Sequence, residues 1–201
     1  MEGQTVQLNS QNYNTLLMEL PWIEVTDRTQ AVSRSSCLMV EKDCICSCKY
    51  GRGKPWKGTQ WPEWIKNIAK ALEVFLNLPL NSFNSCNGNR YATASEQLQW
   101  HNDNESLFIE DAFKRDVLIA SLSFGVSREF CIRKNYGKTL SPVLLEDGDL
   151  LTMDGLMQET HEHCVRASPN TIKQANEIDK VRYNLTFRII KKHLKGCPQC
   201  S

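Results

Sequence analysis

What this sequence lacks narrows its class before any motif is read. It has no run of eighteen or more apolar residues, and its start, "MEGQTVQLNS", holds no basic segment followed by an apolar one. Neither a membrane-spanning helix nor a secretory signal is therefore expected, and the cytosol is the expected location. An excess of one charge is lacking too: 24 Lys and Arg stand against 23 Asp and Glu, a formal net charge of +1. A nucleic-acid partner would have to be held by a local patch, and a histone-like polycation is excluded. Internal repeats and low-complexity tracts are absent. With 41% hydrophobic and 23% charged residues the composition is that of a folded globular chain.

Histidine is scarce, at four, whereas cysteine is abundant, at nine. An odd count in a chain with no mark of secretion argues against a disulfide framework. Two clusters, "CICSC" (Cys44, Cys46, Cys48) and "CPQC" (Cys197, Cys200), could meet as a zinc site, because C-P-x-C is a recurring way to present two thiolates. The first cluster has the wrong spacing for a knuckle, and its alternation fits a strand with thiols on one face, so free thiols are the alternative.

At 201 residues the chain suits a single sizeable domain. "WPEWIKNIAKALEVFLNLP" predicts a helix: Pro62 suits the first turn, Ile65, Ile68, Leu72, Phe75 and Leu76 fall at helical spacing, and Pro79 should stop it. A shorter helix is expected at "YNTLLMEL", ended by Pro21. "DVLIASLSFGV", "REFCIRK", "GDLLTMDG", "HCVRAS" and "RYNLTFRII" read as strands bounded by turn residues, as does "SCLMVEKDCICSCKY". "GRGKPWKGTQWP", rich in glycine, proline and basic residues, reads as an exposed loop. Few helices and many short strands predict an α+β domain with a jelly-roll core and helices on one face.

His101 and Asp103, in "LQWHNDNESLF", lie two apart, which on a strand puts both side chains on one face. A third ligand would come from "QETHEHCVRAS", where His161 and His163 are again two apart. Two histidines and a carboxylate leave three metal positions open, which suits non-haem Fe(II) and dioxygen. H-x-D alone is equally a surface pair or an N-cap aspartate. In "RYNLTFRII", Arg182 and Arg188 share a strand face with Asn184 and Thr186 between them. Two arginines turned into a core must be paired, either by acidic side chains or by a small dicarboxylate.

On "NRY" (Asn89, Arg90, Tyr91), "WHND", "SLSFGVSREFCIR", "DGDLLTMDG", "HCV" and "RYNLTFR", residues 85 to 190 resemble the AlkB-like 2-oxoglutarate- and Fe(II)-dependent dioxygenases, which remove methyl groups from nucleobases. The phrasing is most similar to domains within plant RNA virus polyproteins. The resemblance implies a double-stranded β-helix core at 85–192, an N-terminal region with a nucleotide-recognition lid at 1–84, and a Cys-containing tail at 193–201, in one structural domain. It makes His101, Asp103 and His163 the iron ligands, His163 being preferred to His161 because it precedes the short apolar pair. Arg182, with Asn184 and Tyr91, would hold the distal carboxylate of 2-oxoglutarate, and Arg188 with Asn89 would lie near its chelating end. Forked, charge-assisted contacts suit arginine there.

Glu105 would meet the edge of the damaged base, since 1-methyladenine and 3-methylcytosine are cationic. In the lid, Tyr50 and Trp56 are candidates to stack on a flipped base, while Trp56 and Trp61 could equally pack the loop. Arg52, Lys54 and Lys57 would form a basic patch. Arg128 and Arg133 could support the sheet or contact phosphates, with structure favoured for Arg128. The implied partner is methylated single-stranded RNA, with DNA the alternative; a monomer, no membrane, and host cytoplasm for a viral chain complete the expectation. The rivals are an oxygenase with another substrate, a catalytically silent nucleic-acid-binding module, and a zinc-dependent interaction domain.

Overall fold

The structure is a computed structural model that describes residues 8–27, 29–48, 56–105, 108, 117–140, 142–167, 181–193 and 195–198. Along the chain run α1 (Ser10–Met18), β1 (Ile23–Thr26), β2 (Val32–Val40), β3 (Ser47–Cys48), β4 (Trp56–Lys57), β5 (Thr59–Gln60), α2 (Glu63–Phe75), β6 (Ser85–Tyr91), β7 (Leu98–His101) and β8 (Ile119–Gly125). They are followed by β9 (Arg128–Lys134), β10 (Val143–Leu145), β11 (Leu150–Met153), α3 (Met157–Thr160), β12 (His161–Val165) and β13 (Arg182–Arg188).

Strand β13 organises the molecule. All seven of its residues are buried, because it lies inside a seven-stranded sheet of order β1-β2-β6-β13-β8-β11, with β5 beside β2. Its odd positions, Tyr183, Leu185 and Phe187, join Cys37, Met39, Cys86, Leu122 and Phe124 in an apolar layer that receives Ile65, Ile68 and Leu72 of α2. Burying a leucine such as Leu72 contributes about 1.5–3 kcal/mol. Its even positions, Arg182, Asn184, Thr186 and Arg188, turn the other way. Antiparallel register sets them opposite Tyr91, Asn89, Asn87 and Ser85 of β6, and opposite Gly125, Ser123, Ser121 and Ile119 of β8. The result is one greasy face under a helix and one polar face under a second sheet. That second sheet has four strands in the order β10-β9-β12-β7, so the two sheets form the expected jelly roll; α1 and α2 cover the apolar face of the large sheet, whereas the short α3 packs through Met157 with the other cluster.

Turn chemistry closes the sheet beside Arg182. Gly125, its register partner, has φ +81°, and a Cβ there would lie 2.2 Å from the carbonyl oxygen of Val181. Only glycine fits that combination.

Three local expectations are corrected. Helix α2 ends at Phe75, not at Pro79: Asn77 takes a left-handed φ of 54°, and the Glu73 carboxylate accepts the backbone N–H groups of Asn81 and Phe83, both at 2.8 Å, so the chain has turned before the proline. Phe75, given a core position by the periodicity, is 77% exposed: at about 100° per residue it falls at the margin of the apolar stripe, whose centre is held by Ile65, Leu72 and Leu76. The strand over residues 36 to 50 is broken after Val40 by a turn in which Asp43 has φ 63°, so Cys44 and Cys46 are not strand residues although both are buried. Strand β2, from the N-terminal 84 residues, pairs with β6, so that region shares a sheet with the remainder.

Candidate active site

The two sheets converge on His101, Asp103 and His163. His101 closes β7, and the antiparallel pairing of β12 with β7 sets His163 directly across from it, bringing the ring centroids to 4.2 Å. Asp103 lies just past the end of β7, not on it as expected, yet reaches both rings: its Oδ1 is 3.7 Å from His101 Nε2 and its Oδ2 3.8 Å from His163 Nε2. One ligand atom from each residue lies within 4.8 Å of the others. His161 is absent from this group; its Nδ1 faces Thr160 Oγ1 at 2.8 Å.

The surroundings make this a competent donor set. His101 Nδ1 lies 2.8 Å from the carbonyl oxygen of Gln99, which can only accept, so Nδ1 carries the proton and Nε2 keeps its lone pair. Burial pushes the pKa of both histidines down, that of His163 to about 3, so each imidazole is neutral at pH 7. Burial would raise the Asp103 carboxyl, but Arg188 and the two histidines reverse this and hold it well below the usual carboxylate range. Two neutral imidazoles and one carboxylate with open positions fit Fe(II). Phe130 stacks on the His163 ring at 5.3 Å and 23°.

A row of buried polar side chains leads away along β13. Arg188 Nη2 donates to Asp103 Oδ2 at 2.5 Å, and its guanidinium lies over the Phe108 ring. At the other end Arg182 is 1% exposed, yet of its guanidinium only Nη2 has a partner, Ser123 Oγ at 3.1 Å; Nε and Nη1 are buried with none. A buried guanidinium left with bare N–H groups is costly unless an anion completes it, and a carboxylate takes two such N–H groups in a fork. The remaining residues tie one another down. Asn184 Nδ2 donates to Ser121 Oγ and to the Leu122 carbonyl, and its Oδ1 accepts from Thr186 Oγ1. Asn89 Oδ1 accepts from Arg34 Nε at 2.8 Å and from Ser36 Oγ at 3.2 Å, so its partners are on β2, while Arg188 goes to Asp103. Tyr91 is buried, and burial raises its hydroxyl pKa against the pull of Arg34, Arg182 and Arg128.

Glu105 follows the cluster, with Oε2 buried and lacking a hydrogen-bond partner. Burial, then the nearby Asp103 charge, raises its pKa to about 6. Of the lid candidates, Tyr50, Arg52 and Lys54 lie outside the described residues, as does the side chain of Trp56; Lys57 is exposed on β4, and Trp61 packs into the apolar core. Arg128 is structural: its guanidinium donates to the carbonyls of Thr93, Ala94, Glu96 and Arg166. Arg133 pairs with Glu162 at 2.7 Å and covers the Trp100 ring at 4.2 Å.

Sequence reasoning missed two contributors. Gln158 is 1% exposed, and its Oε1 accepts the backbone N–H of Asp103 at 2.9 Å, which fixes the loop carrying the carboxylate. Arg34, on β2, brings a further cation to this polar face through Asn89. Neither stands in a motif; the visible hint for Arg34 was an arginine at the start of a run that is otherwise apolar or small.

Comparison with known proteins agrees with this geometry. The sequence model of a family described as the 2OG-Fe(II) oxygenase superfamily matches residues 5–188. The chain is 28% identical over 209 residues to an Arabidopsis thaliana protein named DNA oxidative demethylase ALKBH2, covering 89% of this chain and 61% of that one. It is 30% identical over 193 residues to the human alpha-ketoglutarate-dependent dioxygenase alkB homolog 3, covering 91% and 62%. The chain thus spans about three fifths of the length of these relatives. The solved structure of OsALKBH1 superposes with a TM-score of 0.59 at 24% identity, covering 84% of this chain and 83% of that one, a likeness of fold.

Proposed function

The chain belongs to the 2OG-Fe(II) oxygenase superfamily, whose members use Fe(II) and 2-oxoglutarate, and from that premise we propose that it is an AlkB-type oxidative demethylase of nucleic acid bases. The observation that carries the reading is the pairing of a two-histidine, one-carboxylate cluster with a buried Arg182 whose Nε and Nη1 lack partners. In this reading His101, Asp103 and His163 hold the iron, Arg182 takes the distal carboxylate of 2-oxoglutarate with Tyr91 and Asn184 beside it, and Arg188 supports the chelating end through Asp103. When bound, iron and cosubstrate supply the oxidation of an N-methyl group by O2, with release of succinate, carbon dioxide and formaldehyde.

The residues of the chain do the rest. Arg188 keeps Asp103 ionised and leaves Oδ1 for the metal. Gln158 and Gln99 set the carboxylate and the His101 tautomer through backbone contacts. Glu105, with a bare carboxylate oxygen, is suited to the edge of a cationic base such as 1-methyladenine or 3-methylcytosine, whose positive charge would favour its ionised form. The base must leave its stack, at a cost of a few kcal/mol that is least in a single strand.

The names of the relatives support a methylated nucleic acid as substrate. RNA is preferred to DNA on the resemblance to domains of plant RNA viruses, which also makes host cytoplasm and a larger polyprotein the expected setting. The test is succinate release with Fe(II), 2-oxoglutarate and O2, compared across 1-methyladenine and 3-methylcytosine oligonucleotides of RNA and DNA and their unmethylated forms. Stimulation by methylated RNA with matching formaldehyde is expected. Turnover indifferent to any oligonucleotide would keep the oxygenase and overturn the substrate.

A further inference from the structure

A second cluster of metal-ligating side chains lies outside the active site. Cys44 and Cys46 follow the turn after β2, while His193 and Cys197 follow β13, about 150 residues later in the chain. The fold nevertheless draws them to one point. His193 Nδ1 is 3.4 Å from Cys46 Sγ, 3.4 Å from Cys197 Sγ and 3.9 Å from Cys44 Sγ, and Cys44 and Cys197 are 3.7 Å apart between sulfurs. All four ligand atoms lie within 4.8 Å of one another.

Hydrogen bonding does not account for this convergence. One imidazole nitrogen makes one hydrogen bond, as donor or as acceptor, yet three sulfurs surround this one. A tetrahedral metal does account for it: with bonds of about 2.3 Å to sulfur and 2.0–2.1 Å to nitrogen, the edges of the tetrahedron are about 3.8 Å between thiolates and about 3.6 Å between thiolate and imidazole. The four measured separations fall within about 0.3 Å of those edges. The three thiols are buried, at 7%, 0% and 4% exposure, in an apolar cluster with Leu38, Val40 and Ile190.

We propose that Cys44, Cys46, His193 and Cys197 form a structural zinc site that ties the segment after β2 to the segment after β13. Four protein ligands close the coordination sphere, which marks a structural ion and not a catalytic one. The ligand set is soft and sulfur-rich, unlike the oxygen- and nitrogen-rich cluster of the active site, so the two metals are sorted by donor chemistry. The consequence for the fold is a staple at the root of the β3–β4 pairing, where Ser47 and Cys48 meet Lys57 and Trp56. The sequence offered Cys44, Cys46 and Cys197 as candidates; His193 was unforeseen, the side chain of Cys48 is not described, and Cys200 lies outside the described residues.

The test uses full-length protein, with no polyhistidine tag, purified without chelators and assayed for zinc and iron by mass spectrometry of the elements. One zinc per chain is expected in the wild type and in Asp103→Ala, and loss of zinc in Cys46→Ala and Cys197→Ala. His193→Cys, which retains four ligands, guards against simple misfolding: it should keep zinc, and its cobalt-substituted form should show thiolate-to-cobalt charge transfer raised by about one third, as expected for four thiolates in place of three. Failure of wild-type protein to take up zinc, zinc unaffected by Cys46→Ala, or a pale octahedral cobalt spectrum would each overturn the site. Because Asp103→Ala removes only the iron cluster, the zinc result stands or falls apart from the demethylase reading.

Discussion

Arg188 of β13 donates a hydrogen bond to Oδ2 of Asp103, 85 residues away in sequence, and so joins the large sheet to the end of the small one at the metal cluster. That contact, together with the two histidines, holds the carboxyl well below the usual carboxylate range, and it aims the carboxylate. Arg188→Ala is expected to weaken Fe(II) binding about 10–100-fold, the usual effect of removing a group that orients a metal ligand. Arg188→Lys should recover only part of this, since a compact, strongly hydrated ammonium does not match the planar guanidinium. Iron titration followed by turnover assays would check both; unchanged iron affinity in Arg188→Ala would refute the role.

Arg182 should behave differently. Its buried guanidinium, partnered only by Ser123 Oγ, is a burden on the protein without cosubstrate. Arg182→Met is therefore expected to melt at the same temperature as wild type or higher in the absence of 2-oxoglutarate, because a buried charge replaced by a packed apolar chain is often neutral or stabilising by roughly 1–4 kcal/mol. The same variant should lose the thermal shift that saturating 2-oxoglutarate gives the wild type. Thermal melts with and without 2-oxoglutarate decide the matter.

Glu105 offers a test of substrate charge. Glu105→Gln keeps the shape and removes the negative charge, so kcat/KM on 1-methyladenine should fall by about 10-fold or more, the scale of one charge-assisted hydrogen bond. Succinate formation uncoupled from nucleic acid should stay near the wild-type rate. Equal losses in both assays would mean that Glu105 acts on the metal and not on the base.

Helix α2 supplies a stability contrast. Leu72 is buried against the sheet and Phe75 is 77% exposed. Leu72→Ala is expected to cost about 2–5 kcal/mol in urea unfolding, and Phe75→Ser to fall within about 0.5 kcal/mol of wild type. A large loss from Phe75→Ser would show that its ring is covered in solution.

Sequence patterns revealed some of this design better than other parts. Strand β13 was legible because alternation along a strand is strict: Arg182, Asn184, Thr186 and Arg188 had to share a face. The choice of His163 over His161 followed from the family resemblance, and strand pairing then set His163 across from His101. Contacts between distant segments carry no local pattern, which is why Gln158 and Arg34 went unseen, and why His193 did not stand out beside cysteines some 150 residues away. Helical spacing gave the buried face of α2 but not how far its margin extends, hence the misplacement of Phe75. The break after Val40 was hidden because Cys44 and Cys46 mimic strand alternation across a turn. Trp61 alone among the lid tryptophans has a described side chain, and it packs the core.

Demethylation by this chain can be read directly by mass spectrometry of a methylated RNA oligonucleotide. The protein is reconstituted without oxygen with Fe(II) and 2-oxoglutarate and then exposed to air, with Asp103→Ala treated identically. Loss of one methylene from the oligonucleotide in the wild type, and none in Asp103→Ala, is the predicted result. An unchanged oligonucleotide in both, or equal loss in both, would contradict demethylation at the His101–Asp103–His163 cluster.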